Sequence, residues 1–226
     1  MSNKIKIKSA DDKDIPVYIY EPSIERIGAV VLIQEIFGVN EHIKDVAEIF
    51  SKEGFVTWVP DIYYRIEDNV NLGYSNADIE KGKSLKDKSG WELPTMDILS
   101  CIANLKVNYN VATIGFCYGG SLSWRAACLA YGLDASVCFY GSQISSFLDK
   151  SPRCPTLVHL AEKDPTINKD EQNKIIKFSK DKEPAITIHN YKNVDHGFFC
   201  DKRESFDKES RDLAYMKTIE FLKESL

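Results

Sequence analysis

The chain has 226 residues, 43% hydrophobic and 28% charged, which suits one sizeable core and a single domain over 1–226. A formal net charge of −5 leaves no basic stripe to neutralise phosphates, which argues against nucleic acid as a partner. No apolar run approaches membrane-spanning length, and Met1 to Lys8 alternates charge with isoleucine where a signal peptide would be apolar, so a cytoplasmic, non-membrane protein is expected.

In chain order, residues 4–8 and 15–20 alternate in the strand manner and predict a hairpin with Asp11-Asp12-Lys13-Asp14 as its turn. Ala29-Val30-Val31-Leu32-Ile33 is a continuous apolar run, which predicts a central strand buried on both faces. After the loop Gln34 to Asn40, Ile43, Val46, Ala47 and Phe50 recur at helical spacing, and Gly54 closes that helix. Phe55 to Val59 reads as the next strand, ended by Pro60. Asp61 to Ser89 carries Tyr63, Tyr64, Arg65 and Tyr74 among polar residues and reads as an irregular excursion with room for one helix. Its lysines 81, 83, 86 and 88 are interrupted by Asp78, Glu80 and Asp87, the pattern of a solvated face. Beyond Pro94, Met96, Leu99, Ile102, Ala103 and Leu105 predict a helix.

Strands follow at Val111 to Phe116, Ala135 to Tyr140, Thr156 to Ala161 and Ile186 to Tyr191. Helices are expected from Leu122 to Ala130, Asn168 to Lys180 and Asp207 to Glu224. This alternation implies an α/β fold: a mostly parallel sheet of about eight strands with helices on both faces.

Cys117 sits where the strand from Val111 becomes the helix containing Leu122. Gly115, Gly119 and Gly120 flank it as Gly-x-Cys-x-Gly-Gly, a nucleophile elbow with cysteine in place of serine. A sharp strand-to-helix turn crowds its apex, and residues without a Cβ relieve the crowding. The apex side chain then stands at a helix N-terminus, where partial positive charge favours a thiolate. The alternative is an ordinary buried cysteine. All six cysteines are dispersed, with no Cys-x-x-Cys pair and no metal-like spacing, and most fall within apolar segments as reduced core cysteines do; a hydrolase built on this elbow implies neither a metal nor an organic cofactor.

In open α/β sheets the site gathers beyond the carboxyl ends of the strands. Two further loops there hold Asp164, after the strand ending at Ala161, and His196, after the strand ending at Tyr191. The order nucleophile, acid, histidine matches this class of hydrolase. His196 would take the thiol proton and Asp164 would orient the imidazole. Asp195 is the alternative acid, although adjacent residues rarely point at one another. His159 lies inside an apolar strand and reads as a satisfied core histidine. His42 and His189 fall at a helix start and within a strand.

With these residues in view, the chain resembles the dienelactone hydrolase family of the α/β-hydrolase superfamily. The likeness rests on Gln34-Glu35-Ile36-Phe37-Gly38, Pro60-Asp61-Ile62-Tyr63-Tyr64-Arg65, Gly115-Phe116-Cys117-Tyr118-Gly119-Gly120, Asp164 and His196-Gly197-Phe198. It implies that Glu35 lies beside the nucleophile and controls its ionisation. It also implies that the backbone N–H groups of Ile36 and Tyr118 form an oxyanion hole, that Phe37 lines the substrate site, and that Arg65 binds a substrate carboxylate. One departure stands out. The chlorocatechol-degrading branch carries a second arginine four residues after the histidine, where this chain has Cys200, with Arg203 three residues beyond. Arg65 has an alternative role, pairing with a structural carboxylate such as Asp61 or Glu67.

The implied function is a cysteine hydrolase of small carboxylic esters or lactones, working through an acyl-enzyme as a monomer. A thioesterase or general carboxylesterase would use the same residues. A non-catalytic ligand-binding or redox-sensing protein is the reading from another class, and an ordered base argues against it.

Overall fold

The computed structural model describes residues 3–226. The strands are β1 (Asn3–Lys8), β2 (Asp14–Tyr20), β3 (Gly28–Ile33), β4 (Phe55–Pro60), β5 (Val111–Phe116), β6 (Ala135–Phe139), β7 (Thr156–Ala161) and β8 (Ile186–Tyr191). They form one sheet in the order β1-β2-β4-β3-β5-β6-β7-β8. The first two strands make the expected hairpin, and β2 joins β4 antiparallel. From β4 across to β8 every pairing is parallel. Along β1 the lysines at 4, 6 and 8 are exposed, while Ile7 turns inward.

Among the described residues six α-helices connect and cover the strands: α1 (Glu41–Lys52), α2 (Asn76–Ser89), α3 (Glu92–Leu105), α4 (Tyr118–Leu129), α5 (Lys169–Ser179) and α6 (Lys208–Ser225). Successive β3 residues show how the sheet is sandwiched. Val30 and Leu32 join the core containing Ile43, Val46 and Phe50 of α1. Ala29, Val31 and Ile33 join the opposite core, with Ile98, Cys101, Ile102 and Leu105 of α3. All six β3 residues are buried, which is why its sequence is continuously apolar instead of alternating. Among the described residues, no helix is long and apolar enough to cross a membrane.

Helix starts move: α4 begins at Tyr118, not at Leu122, and α3 shifts as well. The helix placed beyond Pro94 begins at Glu92, so the proline falls in the first turn, where its missing N–H leaves no helical bond unmade. The segment 61–89 is more ordered than its composition suggests. Asp61 caps its start, accepting from the backbone N–H groups of Tyr63 and Asn69, both at 3.2 Å. Gly38 and Asn71 then form a β-bridge, and the Leu72 N–H donates to the Phe37 carbonyl at 2.9 Å. A Cβ at Gly38 would meet the Val70 carbonyl oxygen at 2.0 Å, and its φ is +81°, so glycine is required at this crossing. Ser75 and Asp78 close a capping box and start α2.

Candidate active site

Cys117 stands between β5 and α4 with φ 55° and ψ −113°, a left-handed conformation that side chains other than glycine rarely adopt. Its N–H donates to the Phe139 carbonyl of β6 at 3.0 Å, which fixes the apex against the neighbouring strand. The glycines are dictated by space. A Cβ at Gly115 would lie 1.9 Å from the Gly119 carbonyl oxygen, one at Gly119 would lie 2.4 Å from that of Ile33, and one at Gly120 2.4 Å from that of Phe139. The thiol is half-buried, whereas the other five cysteines, also free, are buried.

The loops after β7 and β8 bring the acid and the histidine together. His196 Nδ1 lies 2.7 Å from Asp164 Oδ2; the carboxylate can only accept, so Nδ1 carries the proton. Asp164 is itself held by Thr166, whose N–H and hydroxyl donate to Oδ1 at 2.8 and 2.7 Å. The same hydroxyl lies 3.0 Å from His196 Nδ1. The Asp195 carboxylate accepts from the His196 backbone N–H, which leaves the ring to Asp164. Burial opposes a charged imidazole here. The charge and hydrogen bonding of Cys117, together with the Asp164 bond, outweigh it and raise His196 to about 10. Tyr140 packs on the ring with centroids 4.9 Å apart. By contrast, His159 is spent on structure: its ring nitrogens meet the Tyr191 hydroxyl at 2.9 Å and the Thr218 hydroxyl at 3.0 Å.

Glu35 is fully buried in the loop after β3. Arg203 Nη1 lies 3.3 Å from its Oε1, and the Tyr74 hydroxyl donates to Oε2 at 3.4 Å. The Cys200 thiol donates to that same hydroxyl at 3.1 Å, and burial with the nearby Glu35 charge pushes the thiol up to about 12. Burial also lowers His42, in the first turn of α1, and keeps its imidazole neutral. Arg203 reaches Glu35 by crossing Gly197, where a Cβ would lie 2.4 Å from the guanidinium. A cleft of about 970 Å³ opens here, lined by Phe37, Tyr74, Thr166, His196, Lys202 and Arg203 among others.

Phe37 lines this cleft with its ring edge-on to Tyr74 at 4.7 Å. Ile36 packs over Gly82 of α2, and Tyr118 opens α4 immediately after the cysteine. Arg65 is engaged by protein carboxylates. Its guanidinium forms a bidentate pair with Asp11, both bonds 2.7 Å, and two further bonds to Asp97 at 2.7 and 3.1 Å. It is not among the residues lining the cleft. Two carboxylates from the hairpin turn and α3 use its donors, whereas Lys202 and Arg203 line the cleft. Thr166 and Tyr140 adjoin His196 without having been singled out by sequence, and Tyr74 comes from the excursion after Pro60. Tyr140, at φ 37°, has a buried hydroxyl with no hydrogen-bond partner among the described residues.

A mostly parallel eight-stranded sheet in this order, with the elbow after β5 and the acid and histidine loops after β7 and β8, is the α/β-hydrolase fold. A Klebsiella pneumoniae crystal structure, provisionally titled a dienelactone hydrolase, superposes with a TM-score of 0.83 at 23% identity, covering 97% of both chains. The model of the dienelactone hydrolase family matches residues 15–226, and the chain belongs to that family. A Synechocystis relative, provisionally named carboxymethylenebutenolidase, is 32% identical over 92% of this chain and 91% of its own. Carboxymethylenebutenolidase 1 of Cupriavidus pinatubonensis is 26% identical over 98% and 97%. The protein is a carboxylic ester hydrolase of the dienelactone hydrolase type.

Proposed function

We propose that this enzyme hydrolyses small carboxylic esters or lactones through a Cys117–His196–Asp164 triad and an acyl-enzyme. The observation that carries the reading is the 2.7 Å bond between His196 Nδ1 and Asp164 Oδ2, in loops adjoining a cysteine held at a left-handed elbow. With Nδ1 donating to Asp164, Nε2 is the nitrogen that takes up and holds the Cys117 proton. The sulfur attacks the carbonyl carbon, and the carbonyl oxygen takes the electron pair while the Ile36 and Tyr118 N–H groups donate to it. Collapse breaks the ester C–O bond, with the His196 proton going to the departing oxygen. In a lactone that oxygen stays tethered as a hydroxyl of the acyl chain. Water, deprotonated by His196, then attacks the thioester; the carboxylic acid leaves and Cys117 recovers its proton.

Arg203 supports an anionic substrate, because it puts a guanidinium on the cleft wall beside the histidine loop. Turnover of a chromogenic acetate ester tests the proposal. Cys117→Ala should lose it, iodoacetamide should label Cys117 and abolish it, and retention of turnover by Cys117→Ala would refute the mechanism.

A further inference from the structure

We propose that Glu35, His42 and Cys200 form a binding site for one first-row transition ion of the zinc class, separate from the Cys117–His196 pair. One ligand atom from each residue lies within 4.8 Å of the others, and all three residues are buried. The donors come from three places: the loop after β3, the first turn of α1 and the loop before α6. Their convergence is a product of the fold, not of local sequence.

A second observation points independently to a ligand. His42 is 97% buried by accessible surface (3% exposed), and among the described residues its Nε2 has no hydrogen-bond partner. Buried polar atoms are nearly always satisfied, so an imidazole nitrogen without a partner, on a residue grouped with a buried thiol and carboxylate, is open to a ligand; in the Nδ1–H tautomer it offers a lone pair. The ring cannot easily turn away, because Phe116 and Phe199 hold it edge-on at 5.9 and 6.4 Å.

The donor set selects the ion. Imidazole, thiolate and carboxylate suit zinc, whereas magnesium and calcium prefer oxygen alone. Tetrahedral zinc with ordinary bond lengths separates its ligands by roughly 3.3–3.6 Å, so the trio would close by at most about 1.5 Å. Glu35 has an oxygen to spare, since binding through one leaves the other for Arg203. Tyr74, already between Cys200 and Glu35, supplies the outer hydrogen bond such sites use to orient their ligands. On binding, Cys200 releases its S–H proton to solvent, and its sulfur, His42 Nε2 and Glu35 each donate a lone pair. Water completes the fourth position. No redox partner is required.

The experiment uses full-length Cys117→Ala, which removes the rival thiol, after treatment with a chelator. Cobalt(II) is titrated in as a spectroscopic stand-in and then displaced by zinc. The expected result is one equivalent bound, with a thiolate-to-cobalt charge-transfer band, tetrahedral d–d absorption and one proton released per ion. His42→Gln and Cys200→Ser should each weaken binding at least about tenfold, the lower bound for loss of even an outer-sphere partner. Absence of the band in Cys117→Ala would overturn the proposal, and so would a band that both further substitutions leave intact. If one substituted protein does not fold, the other decides. No turnover is read, so failure here is distinct from failure of the hydrolase mechanism.

Discussion

Removing the Arg203 guanidinium should strand a charge that the fold has taken out of water. Glu35 is fully buried, Arg203 is about one-fifth exposed, and the closest approach is 3.3 Å. At an effective dielectric of about 20, that separation corresponds to about 5 kcal/mol of attraction, much of it offset by desolvation. Breaking a buried pair from one side costs about 3–5 kcal/mol, and the exposed fraction of Arg203 lowers the expectation for Arg203→Ala to about 2–4 kcal/mol. The Tyr74 hydroxyl still serves the second carboxylate oxygen and limits the loss. For a chain of this length, 2–4 kcal/mol corresponds to a Tm lowered by about 4–16 °C. Calorimetry at pH 7 on wild type, Glu35→Gln, Arg203→Ala and the double variant closes a cycle. The double variant should recover at least half the loss, because no charge is left unpaired. A cycle additive to within about 0.5 kcal/mol would refute the coupling and with it the idea that Arg203 is the counter-ion of Glu35.

Thr166→Val removes the hydroxyl shared by Asp164 and His196 but keeps the backbone bond to Asp164; turnover should fall about tenfold with about 1 kcal/mol lost in stability, and steady-state kinetics with an unchanged kcat would contradict a positioning role. His196 titrates about 10, above its ordinary 6.5, so its contribution to stability is complete below pH 6.5 and fades as pH rises through 10. Cys117→Ala removes the largest influence raising that value, so NMR titration of the ring should show a fall, and an unshifted ring would mean that the thiol does not face it. Arg65→Ala should leave KM for anionic esters unchanged and cost about 2–4 kcal/mol in chemical denaturation, because Asp97 is buried and Arg65 only 15% exposed. A raised KM at intact stability would return Arg65 to the substrate.

Much of this was legible in the chain because the signals were local. The run from Ala29 to Ile33 declares a strand covered on both sides, and Cys117 with its glycines declares a turn that no bulkier sequence could make. Asp164 and His196 could be read as candidates because each sits in a loop beyond the end of a predicted strand, at Ala161 and Tyr191. What was illegible depended on contacts between distant residues. Arg65 is claimed by Asp11, 54 positions away, and by Asp97, 32 positions away, and nothing near Arg65 announces either. The order in 61–89 comes largely from the Phe37–Leu72 and Gly38–Asn71 pairings, although the Ser75–Asp78 cap of α2 was there to be read. Arg203 reaches Glu35 only because Gly197 leaves room for it, a fact about space instead of pattern.

The lysines of β1 bear on a hazard remote from chemistry. β1 is an edge of the sheet, and its outer backbone groups offer a template on which a strand from another molecule could add. Lys4, Lys6 and Lys8 stand exposed on every second residue. Two such edges brought together would set ammonium against ammonium along their length. Asp14 neutralises Lys8 at 2.9 Å, but Lys4 is held by uncharged groups, Asn69 and the Tyr18 hydroxyl, and keeps its charge. The repulsion acts before any contact forms, so the strand that contributes least to the active site guards the chain against edge-to-edge aggregation.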